Sequence, residues 1–423
     1  MHFFDYRGRS FYAEGVPVEK IIKEVGTPVY IYSQKTLRRH YNVYDEAFAG
    51  VPHLICYSIK ANSNISILKT FAEEGSGFDI VSGGELFRAL KAGADPGKIV
   101  FSGVGKRDDE IEYALKSRIL MFNVESPQEL RAIDRIAGRQ RKKAGVAIRV
   151  NPDVDPKTHP YISTGLKKNK FGIESAEALR EYVYARKNLR NVLPIGIDCH
   201  IGSQITKIGP FVDALKKVTE LLKKLRSQGV DIKYLDMGGG LGITYDTEEP
   251  PHPSRYGQAI IKGTKGLSVT LVFEPGRSMV GNAGILATSV VYTKKGTKKN
   301  FVIVDAGMND LARPSLYGSF HAIKAVKKNG RRGMVADVVG PICESGDFLA
   351  KDRELPGVQP GDSLAVMSAG AYGFSMSSNY NTRPRAAEVM VSGRDFHVIR
   401  KRESLDDLIK GEKLVTGRGA RRR

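Results

Sequence analysis

Along the first two-thirds of the chain, short and nearly continuous apolar runs alternate with stretches whose apolar residues recur at three- and four-residue spacing. The runs are HLICYSIKAN (53–62), GFDIVSG (77–83), KIVFSGVG (98–105), ILMFNVES (119–126), GVAIRVNP (145–152), PIGIDCHIGS (194–203), KYLDMGGG (233–240) and TLVFEPGRS (270–278). They read as strands buried on both faces, and intervening stretches such as ISILKTFAEEG, GELFRALKAG and PFVDALKKVTELLKKLRSQG read as amphipathic helices. Eight such units over about 230 residues predict a closed (β/α)8 barrel of the TIM type. An open doubly wound sheet usually has fewer units.

After Gly281 the texture changes. ILATSVVYTKKG, KKNFVIVDAG, MVADVVGPIC, DSLAVMSAGAYG, RAAEVMVSG and DFHVIRKR are β-like segments with little helix between them. The expected division is a barrel over 31–280 and a mainly antiparallel β-domain built from 1–30 plus 281–423. The latter ends in a basic tail, KLVTGRGARRR.

Alternation along barrel strands sends every second residue inward. On the first run that set is Leu54, Cys56, Ser58 and Lys60, with Ile55, Tyr57 and Ile59 facing the helices. The same count turns Asp79, Arg149, Asn151, Asp198, His200 and Glu274 inward on other strands. Charged groups are disfavoured inside a barrel unless paired or functional, and these collect at the strand ends where barrel enzymes build their active sites.

Composition narrows the classes. The 423 residues are 41% hydrophobic, and Lys+Arg 66 against Asp+Glu 46 gives a net charge of +20. Such a field can attract nucleic acid, acidic membranes or anionic small molecules. The basic residues are dispersed, however, and no nucleic-acid motif with interleaved aromatics is present, so no nucleic-acid partner is expected. The three cysteines, Cys56, Cys199 and Cys343, make no disulfide framework. The N-terminus lacks the apolar stretch of a signal peptide, and no run approaches the ~18 residues of a membrane span. A cytoplasmic protein without a membrane partner is expected.

Several residues carry candidate chemistry. Lys60, held at a barrel mouth among cations and apolar walls, could lose its proton and attack an aldehyde to form a Schiff base; position alone would also suit a surface lysine on a shorter strand. In LDMGGGLGITY (235–245), the Gly238, Gly239 and Gly240 backbones can approach a phosphate or simply make a tight turn. In EPGRS (274–278), Glu274 could hold a heteroaromatic nitrogen protonated and Arg277 could meet an anionic group, unless the two close a turn as an ion pair. His200 could stack on a planar cofactor, act as an acid–base or sit satisfied in the core. Cys343, beside Glu344, could donate a proton or be inert. No metal-ligand spacing, P-loop or nucleophile elbow occurs, so no metal is expected.

YSIKAN, GFDIVSGGEL, NVESPQEL, RVNP…KFGI, CHIGSQ, LDMGGGLGITY, EPGRS, DAGMNDLARPSLY, GPICES and AGAYG follow one another in that order across almost the whole chain. In this the chain resembles the alanine-racemase-like (fold type III) enzymes that use pyridoxal 5′-phosphate, and within them the diaminopimelate decarboxylase family. The resemblance implies that Lys60 carries the cofactor, His200 stacks on its ring and Glu274 pairs with the ring nitrogen. Gly238, Gly239, Gly240, Ser203, Gly276 and Arg277 would surround the phosphate. Asp79 and Arg149 would belong to the cofactor site, and Tyr372 would touch cofactor and substrate. Arg277, Arg313, Tyr317 and Glu344 align with substrate-binding positions, and Cys343 with a proton donor that enters from the partner subunit of a homodimer with shared active sites. Racemases of this fold carry an arginine where Glu274 stands, which argues for decarboxylation. The implied reaction converts meso-diaminopimelate to L-lysine and CO2, the last step of lysine biosynthesis. Related decarboxylases acting on ornithine, arginine or carboxynorspermidine are the alternatives.

Overall fold

The structure, a computed structural model, describes residues 2–155 and 170–415. The basic tail beyond 415, and most of the segment between RVNP and KFGI, lie outside the described residues.

Eight parallel strands close into a barrel: His53–Ser58, Gly77–Ile80, Ile99–Phe101, Met121–Val124, Ala144–Asn151, Val192–Asp198, Tyr234–Asp236 and Thr270–Phe273. The last pairs with the first, Leu271 opposite His53, which removes both sheet edges. Alternation works as expected on the first strand. Cys56 packs inside the barrel with Val100, Met121, Ala147 and Val272, whereas Ile55, Tyr57 and Ile59 join the outer core under the helices.

The helices start where their sequences carry caps. Asn64 accepts the Ser66 N–H before Ile65–Glu73, Ser82 accepts that of Glu85 within Gly83–Lys91, and Ser126 that of Glu129 within Pro127–Arg139. Helix Gln34–Glu46 leads into the barrel and closes its seam: Phe48, just beyond its end, stacks on Phe273 of the eighth strand at 4.0 Å between ring centres. Burial of one such ring contributes about 1.5–3 kcal/mol.

The second domain is built on a nine-stranded sheet, against which a small three-stranded one, Phe4–Arg7, Ser10–Ala13 and Val16–Pro17, packs. Its spine, Gly284–Lys295, pairs antiparallel with Val29–Ser33 and Ser363–Val366 along its first half, and with Asn300–Val304 along its second. Most pairings are antiparallel; Val29–Ser33 with Ala387–Ser392, and Asn300–Val304 with Met334–Val339, are parallel. The boundary expected at residue 31 cuts strand Val29–Ser33, all of which belongs to this sheet, so the passage into the barrel comes with helix Gln34–Glu46. Strand Phe348–Leu355 and the short helix Arg313–Tyr317 were not expected from the sequence pattern.

The two domains meet at the Lys60 turn. Asn62 Nδ2 donates to the Gly370 carbonyl at 3.1 Å, and Tyr372 N and Ser375 Oγ donate to the Ala61 carbonyl at 2.8 and 3.1 Å. These bonds carry a β-domain loop over the barrel mouth and bring Tyr372 into it.

Candidate active site

The first barrel strand ends at Ser58, earlier than the apolar run does, and a single 3-10 turn, Ile59–Ala61, follows. The turn keeps Lys60 facing the mouth. Its Nζ lies 2.9 Å from Asp79 Oδ2, which also accepts Ser58 Oγ at 2.6 Å. Lys60 leaves 40% of its side chain accessible, toward a cavity that it lines. Burial pulls the amine's pKa down, but Asp79 and then Glu274 outweigh it and raise it above the ordinary lysine range. The expected surroundings of cations and apolar walls are therefore corrected: the Asp79 carboxylate, 2.9 Å away, holds the amine charged.

The cavity, about 320 Å3, occupies the C-terminal mouth of the barrel. It brings together Lys60, His200, Ser203, Gly240, Glu274, Gly276, Arg277, Arg313, Tyr317 and Tyr372. Asp79 and Arg149 are buried behind its walls rather than on them; Arg149 is held by Glu125 at 2.7 Å and donates to the His200 carbonyl at 3.3 Å. Gly238 and Gly239 lie behind His200. An added Cβ on Gly238 (φ +63°) would come within 2.7 Å of the imidazole, and one on Gly239 within 2.3 Å of the Glu274 carbonyl, so only glycine lets the loop pass so close to both groups.

His200 is fixed by that loop, its Nδ1 accepting the Gly239 N–H at 3.1 Å. Burial, then the charges of Arg149 and Lys60, push its pKa well below the ordinary value, so the ring is neutral. Glu274 is buried, its Oε1 accepting Asn123 Nδ2 at 2.9 Å and Ser102 Oγ at 3.1 Å. Burial, then Asp236, Asp79 and Asp198, push its pKa well up.

On another wall Arg277 donates to Tyr245 Oη at 2.8 Å and Ser203 Oγ at 3.1 Å. Arg313 donates to His321 Nε2 at 2.9 Å and Ser319 Oγ at 3.2 Å, and lies 4.5 Å over the Tyr245 ring. Both guanidiniums are buried, and among the described residues neither is paired with a carboxylate. Cys343 and Glu344 are exposed and stand outside this cavity of their own chain. The Cys343 N–H donates to Asn381 Oδ1 at 3.1 Å, and Glu344 accepts Tyr380 Oη at 2.8 Å.

A family model described as "Pyridoxal-dependent decarboxylase, pyridoxal binding domain" matches residues 34–281. The diaminopimelate decarboxylase of Pseudomonas aeruginosa is 53% identical over 98% of this chain and 100% of its own length. That of Aquifex aeolicus is 52% identical over 96% of this chain and 97% of its own. The chain belongs to the diaminopimelate decarboxylase family of pyridoxal-dependent enzymes. Among solved structures, the Helicobacter pylori diaminopimelate decarboxylase complexed with L-lysine superimposes with a TM-score of 0.90 at 48% identity, covering 93% of this chain and 98% of that one. The M. jannaschii diaminopimelate decarboxylase does so with a TM-score of 0.93 at 38% identity, covering 97% and 98%.

The donor set fits the family's cofactor, pyridoxal phosphate. An amine for its aldehyde, a neutral ring for stacking, a buried carboxyl for its nitrogen, and a glycine cradle with Ser203 and Arg277 for its phosphate all converge on one space. No helix among the described residues is long and apolar enough to cross a membrane.

Four residues here escaped the sequence reading. Tyr245 bridges the two arginines, His321 orients Arg313, and Asn123 and Asp236 sit behind Glu274. Extending the inward count to the fourth and seventh strands would have found Asn123 and Asp236. Tyr245 and His321 lie on loops, where no periodicity applies.

Proposed function

We propose that the chain removes CO2 from the D-configured centre of meso-2,6-diaminopimelate and releases L-lysine, as the last step of lysine biosynthesis in the cytoplasm. The observation that carries this reading is the pair of buried guanidiniums, Arg277 and Arg313, in the cavity of Lys60 and Glu274 without carboxylate partners. Two uncompensated cations favour two anionic groups. One is the cofactor phosphate, beside Arg277 and Ser203; the other is the carboxylate on the far head of a diamino-dicarboxylic acid, beside Arg313. Ornithine or arginine would set a distal cation against Arg313. Full-length relatives named diaminopimelate decarboxylase support the same choice.

Bound pyridoxal phosphate supplies an aldehyde for amines and a ring that accepts the electron pair left when the bond to the carboxylate breaks. Lys60 provides the anchoring amine, oriented by Asp79. Glu274 keeps a proton at the ring nitrogen, which strengthens the electron sink. His200 offers its neutral ring as a stacking face, since its Nδ1 is already occupied by Gly239. Tyr372 and Tyr317 shape the space above. Cys343, from a second copy of the chain, gives its thiol proton to the carbon that lost CO2, and Glu344 beside it meets the distal ammonium. Their exposure outside their own cavity supports a homodimer with two shared sites. One C–C bond breaks, one C–H bond forms, and the thiol is reprotonated from solvent.

Incubation with pyridoxal phosphate and meso-diaminopimelate should release CO2 and lysine in equal amounts, with ornithine and arginine poor substrates. Lys60→Ala should abolish turnover. Full activity in that variant, or a preference for ornithine, would overturn the reading.

A further inference from the structure

Behind the cavity lies an acid with no part in the steps above. Asp236 ends the seventh barrel strand and is fully buried. Its Oδ1 accepts the Gly238 N–H at 2.9 Å and its Oδ2 accepts Asn123 Nδ2 at 3.2 Å. The same amide nitrogen reaches Glu274 Oε1 at 2.9 Å, so Asn123 clamps two carboxyl groups at once. Asp198, Asp236 and Glu274 each bring an oxygen within 4.8 Å of the others. Glu274 Oε1 is held by Asn123 and Ser102, and Glu274 also lines the cavity.

Three carboxyl groups this close and out of water cannot all be ionised. The other groups facing them are Asp79 from the second strand, Lys60 from the turn after the first, Glu125 beyond the fourth, Arg149 from the fifth, and Cys56, Cys199, His200 and Tyr256. Lys60 is engaged by Asp79 at 2.9 Å, and Arg149, held by Glu125 at 2.7 Å, also reaches Asp198 Oδ2 at 3.9 Å; among the described residues no cation pairs with Asp236 or Glu274. Asp198 Oδ1 and Asp79 Oδ1 have no hydrogen-bond partner among the described residues. Protons must balance the cluster: burial and mutual repulsion push Glu274 and Asp198 well up, and burial pushes Asp236 up to about 6.

We propose that Asp236 is a positioning residue whose charge, set against Glu274 by the Asn123 clamp, keeps Glu274 protonated before the cofactor binds, so that Glu274 hands its own proton to the ring nitrogen. The Glu274 O–H bond breaks, an N–H bond forms, and the resulting carboxylate stays beside the cation it has made. No proton is drawn from solvent at this position. The proposal rests on the reading that Glu274 faces the ring nitrogen.

The test is proton uptake when the apoprotein is loaded with pyridoxal phosphate, measured by calorimetry in buffers of different ionisation enthalpy across a pH series. In the wild type, uptake should rise only at the pH where unloaded Glu274 ionises. Asp236→Asn retains the acceptor for Gly238 and removes the like charge, so the rise should move down by about one to two pH units. Asn123→Leu removes a donor that favours both ionised forms, so the rise should move up. A merely structural Asp236 would weaken binding without moving either profile, and unmoved profiles would overturn the proposal. Glu274→Gln separates the two readings. If it changes neither affinity nor proton count, Glu274 does not face the nitrogen; if it changes both while the other variants do not, only the role of Asp236 fails.

Discussion

Lys60 Nζ and Asp79 Oδ2, 2.9 Å apart at the junction of the first two barrel strands, set the protonation state from which the proposed enzyme starts. Strand register puts Ser58 opposite Asp79, and the turn after Ser58 swings the amine onto the same carboxylate. The lysine is thus stored as an ammonium and must lose a proton before it can act as a nucleophile. Asp79→Asn removes the main group that opposes burial, so the amine's pKa should fall by about one to three units. The pH profile for cofactor capture by the apoprotein, followed by absorbance, should shift down accordingly. An unmoved profile would mean that Asp79 does not control the amine.

Among the described residues, neutral partners hold Arg313 in place: His321, Ser319 and the Tyr245 ring. Burial, only partly offset by Tyr245, and the like charge of Arg277 pull its pKa down, the mark of a cation kept where it is uncomfortable. Arg313→Met should therefore leave thermal stability unchanged or raised. It should lower kcat/KM for meso-diaminopimelate about a hundredfold or more, with little change in pyridoxal phosphate affinity. Paired thermal melts and steady-state kinetics check this; a destabilised variant with full activity would assign Arg313 to the fold instead.

The barrel was legible because its strands are buried on both faces and separated by capped amphipathic helices, two signals that agree. Lys60 was legible for a subtler reason: the strand stops two residues before it, yet the following turn preserves the inward direction that alternation gives. Its counterion was not, since the Asp79 contact depends on the register between two strands, and single-strand alternation does not specify register. Strand Phe348–Leu355 escaped because its KDRE stretch lies at a sheet edge, where charge is tolerated and blunts the β-like pattern. The expected boundary at 31 falls inside strand Val29–Ser33 because all five of its residues are buried, and an unbroken buried run does not mark where one domain passes into the next.

His321 links stability to pH. It is buried, its Nδ1 bonded to the Met367 carbonyl at 2.8 Å and its Nε2 accepting from Arg313 at 2.9 Å. Burial and then the Arg313 charge lower its pKa to about 3. The unfolded chain takes up a proton on this imidazole below its ordinary value of 6.5, whereas the folded chain does not, so this residue costs the wild type stability as pH falls from 6.5 towards 3. His321→Gln should be less stable at pH 7, and its deficit should shrink on acidification by about 1.4 kcal/mol per pH unit at most. Urea unfolding at pH 7, 6 and 5 measures the difference; a constant deficit would mean that His321 titrates alike in both states.

Cys343 and Lys60 tie the chemistry to assembly, because they would serve the same site only from different chains. Cys343 is the exposed cysteine; Cys56 and Cys199 are buried. Cys343→Ala should lower kcat about a hundredfold or more if the thiol supplies the proton. In an exchanged mixture of Cys343→Ala and Lys60→Ala chains, half of the dimers are mixed. In each of these, one site joins an intact Lys60 to an intact Cys343 and the other lacks both. About a quarter of wild-type activity should therefore return from two nearly inactive parents. A mixture no more active than its parents would place both residues in one chain's site, or the thiol outside the reaction.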